Sequence, residues 1–113
     1  MIKIRIMYWK EIPVQIEFSD PSTKKSIKLD ERFQFAVDSI SMLDGSYGSD
    51  DYLDGWKWVN KEDIKEELTE EFIDGYTNKY KYPQDLIKKI TSLLELNKRD
   101  EAPGSIDSWL VGK

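Results

Sequence analysis

Carboxylates are the only abundant acid–base groups in this chain. It carries 22 Asp and Glu against 17 Lys and Arg, with neither histidine nor cysteine. Their absence removes a disulfide, a thiol nucleophile, a Ser-His or Cys-His pair, a haem histidine and a zinc site of the usual ligands. Carboxylates can hold a hard cation, or divide acid and base roles across a substrate when their pKa values are pushed apart. The densest group is Asp44, Asp50, Asp51 and Asp54, set around Gly45 and Gly48. It lacks the Asp-x-Asp-x-Asp-Gly run and distal Glu of an EF-hand, so it reads as a solvated loop with helix-capping aspartates. The same loop has neither the Gly-Lys-Ser/Thr of a phosphate loop nor a three-glycine dinucleotide fingerprint. We therefore assign no catalytic residue, no cofactor and no metal ligand from the sequence.

Aromatic residues are the second resource. Tyr8 and Trp9 are neighbours at the end of an alternating run, so they point to opposite sides of a strand. One belongs to a core; the other, beside Lys10 and Arg5, is free to grip a partner unless a helix covers that side too. Trp56 and Trp58 share one face of an extended segment and read as core.

The elements that position these groups follow from periodicity. Ile2, Ile4, Ile6 and Tyr8 alternate with Lys3, Arg5, Met7 and Trp9, a half-buried strand. Val14, Ile16 and Phe18 resume the pattern after a tight connection, with Pro13 at a turn, bulge or edge. Residues 24–29 are a weaker third strand. Leu29, Phe33, Ala36, Ile40 and Leu43 mark one helical face, with Asp30 and Glu31 in its first turn and Gly45 as its left-handed cap. A short strand follows at 56–59. Asn60 then reads as the cap of a second helix bearing Ile64, Leu68, Phe72 and Tyr76, acidic on its outer side. Pro83 opens a third helix with Leu86, Ile87, Ile90, Leu93 and Leu94. The expected fold is α+β: a small, mainly antiparallel sheet in β-β-α-β-α-α order with helices on one face. Residues 1–98 form the domain. Residues 99–113 form a tail whose Ile106, Trp109, Leu110 and Val111 are spaced to dock.

The net charge of −5 argues against a broad duplex-binding surface and against anionic lipid. No apolar run is long enough to cross a bilayer, and the alternating N-terminus is not an export signal. The expected compartment is the cytoplasm. The expected partner is a protein, met by a monomer or weak dimer, with no direct DNA or RNA binding and no membrane.

Two stretches carry a family resemblance. Tyr8-Trp9-Lys10-Glu11-Ile12-Pro13-Val14-Gln15-Ile16 resembles the opening motif of the bacterial virulence factor domain. Arg32-Phe33, Ala36-Val37-Asp38, Met42, Gly48-Ser49-Asp50-Asp51-Tyr52-Leu53 and Trp56 follow in that family's order. The chain is similar to the C-terminal domain of conserved virulence factor C and to the short stand-alone members. In larger members this domain accompanies an Nfu-type N-terminal domain and HEAT-like repeats. The resemblance thus implies a non-enzymatic interaction module, an adaptor in a larger assembly, of uncharacterised biochemical role. Having no cysteine, the chain cannot itself hold a cluster through thiolates. Both stretches lie where side chains converge at one rim of a sheet. We expect an interface there from Trp9, Lys10, Glu11, Gln15, Arg32, Asp50, Asp51 and Tyr52, with Trp109 from the tail. The structural alternative has Lys10 or Arg32 pairing with Asp50 or Asp51 to pin the loop. The functional alternative is an acidic inhibitor or charge mimic acting on a nucleic-acid-binding protein, with the glutamate-rich helix as its surface.

Overall fold

The computed structural model describes residues 1–111; Gly112 and Lys113 of the expected tail lie outside the described residues. Its centre is β1 (Ile2–Trp9), paired antiparallel on one side with β2 (Ile12–Ser19) and on the other with β4 (Trp56–Ile64). The strand β3 (Lys24–Lys28) pairs with β2, giving a four-stranded sheet in the order β3-β2-β1-β4. The fold class is the expected α+β, with β3 and two short helices added to the anticipated order. Of the turn, bulge or edge expected for Pro13, the structure shows a bulge, where β2 carries an extra residue opposite Met7 and Tyr8.

Strict alternation sorts the sheet into two faces. Ile2, Ile4, Ile6 and Tyr8 are fully buried or nearly so on the inner face, with Ile16 and Phe18 of β2. Each such side chain contributes about 1.5–3 kcal/mol when withdrawn from water. Helix α1 (Glu31–Leu43) adds Phe33, Ala36, Val37 and Ile40, and packs on β2 and on α4 (Leu86–Glu95). Helix α3 (Glu70–Thr77) sets Phe72 and Tyr76 edge-on against Phe18. The C-terminal turn α5 (Asp107–Leu110) completes the core with Ile106 and Leu110. Residues 99–111 are thus seated on the rest of the chain, and Lys81 donates its backbone N–H to the Leu110 carbonyl at 2.7 Å.

Two boundaries differ from the sequence expectation. The segment from Asn60 to Ile64 is strand, not helix; α3 begins only after Thr69, whose hydroxyl accepts from Phe72 N–H. Pairing with β1 outweighs the four-residue apolar spacing of Ile64, Leu68, Phe72 and Tyr76. The glutamates from 62 to 71 are consequently divided among a strand, a turn and a first helical turn, and form no continuous acidic helix. Helix α4 starts at Leu86, three residues after Pro83, and stops in a Schellman motif with Asn97 left-handed at φ 58°.

Candidate functional site

The connection between β1 and β2 is two residues long, Lys10 and Glu11, and both side chains are buried. Lys10 adopts φ 50°, a left-handed conformation that costs a non-glycine residue about 1–2 kcal/mol. That backbone aims the Lys10 N–H at the Gly55 carbonyl, 2.8 Å away. Its ammonium reaches Asp44 Oδ2 at 2.9 Å, Asp51 Oδ2 at 3.0 Å and Glu101 Oε1 at 3.4 Å. Glu11 turns the other way. Its carboxylate, 1% exposed, accepts two parallel bonds from Arg99, at 2.7 Å to Nε and 2.8 Å to Nη2. The remaining nitrogen, Nη1, bonds Asp44 Oδ2 at 2.8 Å.

Asp44 is therefore the hinge of the network, shared by Lys10 and Arg99 and braced by the Ser46 hydroxyl and N–H. Burial opposes its charge, and the hydrogen bonds from Ser46, Lys10 and Arg99 outweigh it, holding the carboxyl at about 2. Arg99 is pushed the opposite way: burial disfavours its charge, but Glu11 and Asp44 more than compensate. At neutral pH Asp44 and Arg99 are both ionised and bonded to one another. Asp44 and Arg99 thus act as a clamp, since neither has the pKa near the working pH that a general acid or base needs.

Trp9 is inserted into the same corner. Helix α2 (Asp50–Asp54) closes over it, with the indole N–H on the Tyr52 carbonyl at 2.9 Å and the Tyr52 ring 5.8 Å away. Gly55 allows this approach: a Cβ there would lie 2.7 Å from Trp9 Nε1. Lys10, Asp51, Asp54, Lys57 and Glu101 line an open cleft of about 370 Å³ beside the corner. A second, part-buried link lies on the inner face, where the Tyr8 hydroxyl donates to Asp107 at 2.8 Å and Lys61 meets the same oxygen at 2.8 Å. Burial and Asp107 drive the Tyr8 phenol well above its ordinary range, so it stays protonated. No helix in the described residues is long and apolar enough to cross a membrane.

A profile of the virulence factor family matches residues 7–90. The chain belongs to the virulence factor family. No curated protein and no solved structure matches it. Within this virulence factor domain, the two stretches expected to act together do meet: Trp9 packs with Tyr52 and Lys10 pairs with Asp51, while Glu11 faces Arg99. Trp9 is not exposed, however. Both sides of β1 are covered at this end, one by the core and one by α2, so its indole is fully buried. The loop is pinned by Lys10 with Asp51. Arg32 is elsewhere, forked onto Asp30 at the start of α1 and 5.0 Å over the Tyr82 ring. Gln15 lies on the sheet's outer face opposite Met7, and Asp50 is exposed at the start of α2. Trp109 is half-buried beneath Lys89. Trp56 and Trp58 share a face as expected, but it is the outer face, and both stay partly exposed. The four loop aspartates do not gather into a ligand set; Asp44 and Asp51 both converge on Lys10.

Arg99 was not among the expected site residues, and it lies beyond the family match. A signal for it does exist. The chain has three arginines among many lysines, and each forks a carboxylate through two nitrogens: Arg5 on Glu17, Arg32 on Asp30 and Arg99 on Glu11. Where lysine is the default cation, an isolated arginine marks planar two-point recognition.

Proposed function

We propose that the protein is a non-enzymatic interaction module of the virulence factor family, acting in the cytoplasm as an adaptor that holds a protein partner. The observation that carries this reading is a set of exposed apolar side chains between residues 35 and 53. Phe35, Met42, Leu43, Tyr47 and Leu53 are each more than half exposed. Phe35 and Met42 are seven residues apart on α1 and so share one side of the helix. Tyr47 extends toward α2, in edge contact with Tyr52. Large apolar side chains gathered in this way favour a partner surface over water. Asp38, Asp50 and Asp54 stand along the same stretch, and none makes an ion pair among the described residues, which suits a partner with basic residues at its rim.

The buried clamp supports the same reading. It fixes the loop that carries Tyr47 and Leu53 without presenting a reactive group. The test is affinity capture from the source cell with wild-type bait and a Phe35→Glu/Leu53→Glu bait of equal melting temperature. The wild type is expected to retain a defined protein that the variant loses. Identical capture profiles would remove this surface as the binding site.

A further inference from the structure

The net charge of −5 conceals an asymmetry in the sheet. By the strand register, the outer face carries Lys3, Arg5, Met7 and Trp9 from β1, and Gln15, Glu17 and Ser19 from β2. It also carries Lys24, Ser26 and Lys28 from β3, with Trp56, Trp58, Asn60 and Asp63 from β4. Four cations thus share this face with only two carboxylates, Glu17 and Asp63. Lys3, Lys24 and Lys28 are exposed, and none makes an ion pair among the described residues. The acidic residues responsible for the negative total stand mainly on α1, α2, α3 and the turns.

Beyond the end covered by α2, this face lies open. Two shallow grooves of about 490 Å³ each run over it, one between Arg5, Lys24 and Asn60, the other over Met7, Gln15 and Trp56. At its centre the Arg5 guanidinium lies 4.3 Å over the Trp58 ring. Glu17 holds it there through two bonds of 2.7 and 3.1 Å. A planar cation is therefore fixed on an indole, with Trp56 two residues away, about 6.5–7 Å along the strand. We infer that this outer sheet face is a binding platform for single-stranded nucleic acid. Bases stack on the Arg5–Trp58 pair and on Trp56, and Gln15, Ser19 and Asn60 supply donors and acceptors to base edges. Lys3 and Lys24 meet the phosphates, with Lys28 at the β3 edge. Asp30 and Glu31 stand at the α1 end of the second groove and disfavour phosphate there. Net charge alone predicts no such contact; the sign of the charge on this face is the reverse of the molecule's.

The platform is distinct from the apolar surface on α1 and α2, so either can fail without the other. Its test is fluorescence anisotropy of a labelled twelve-residue oligouridylate titrated with the full chain at several salt concentrations. Three phosphate contacts on a single strand predict about a twentyfold loss of affinity between 50 and 200 mM salt. Trp58→Ala is expected to weaken binding roughly tenfold, with Trp58→Phe largely restoring it. Lys3→Glu and Lys24→Glu, both remote from the core, are expected to weaken binding and flatten the salt slope. Absence of binding at 50 mM salt would overturn the proposal. So would salt-sensitive binding indifferent to Trp58, which is charge attraction without a platform. Equal binding of poly-L-glutamate with the same dependence on Trp58 would overturn it in favour of an acidic polypeptide.

Discussion

Arg99 and Glu11 stand 88 positions apart and share a contact with almost no water, their side chains 3% and 1% exposed. Among the described residues Glu11 has no other cation on it, so truncating Arg99 strands a buried carboxylate. Removing one member of such a pair costs about 3–5 kcal/mol, whereas replacing both by apolar groups of similar volume is often neutral. Arg99→Ala is therefore expected to be strongly destabilising in urea unfolding, and Arg99→Met with Glu11→Leu to recover most of the loss. Arg5 and Glu17 are the contrast. With Arg5 38% exposed, Glu17→Gln is expected to cost less than about 1 kcal/mol. The sequence exposes the cluster's near half, because Trp9, Lys10 and Glu11 are consecutive and Asp44 and Asp51 flank one loop. Arg99 is marked only by its rarity as an arginine among lysines, since nothing local to residues 98–101 distinguishes a solvated charge run from one folded inward.

Gly55 and Gly75 separate two meanings of the same residue. At Gly55 a methyl group would collide with the Trp9 indole, which is fixed by its bond to Tyr52 and by burial on every side. Gly55→Ala is expected to cost about 1–3 kcal/mol, as overpacking does, and to alter the near-ultraviolet circular dichroism of the tryptophans. Gly75 lies inside α3 with nothing within 4 Å of a Cβ, so Gly75→Ala is expected to stabilise by about 0.5–1 kcal/mol in thermal unfolding. The first two strands and α1 were readable because alternation and a 3-4 spacing each admit one reading. The stretch after Trp58 admitted two. Leucine, phenylalanine and tyrosine at every fourth position suit a helix, but β1 has a second edge to satisfy, and that demand is visible only in the assembled sheet.

Acid should loosen the whole molecule by way of Asp44. Its folded carboxyl titrates at about 2, below the roughly 3.9 of an unfolded aspartate. The unfolded chain therefore binds the proton first, and the stabilisation present above about pH 4 is lost as the pH falls toward 2. Unfolding midpoints measured from pH 7 to 2 are expected to drop across that window. In Asp44→Asn the drop should be smaller, from a lower starting stability. The fold class was legible from periodicity and the family from two motifs. The division of charge between the two sheet faces was not, because register depends on which strands pair. One more consequence follows from Arg99. Translation delivers β1 well before two of its closing contacts, which follow nearly a hundred residues later at Arg99, on Glu11 beside it, and at Asp107 on Tyr8. A nascent chain that has released residues 7–90 already contains the family's matched segment, yet Glu11 has no counter-ion and Tyr8 no acceptor. Its final folding step must wait for the C-terminal segment to clear the ribosome. Until then the central strand is open to holdase chaperones and proteases.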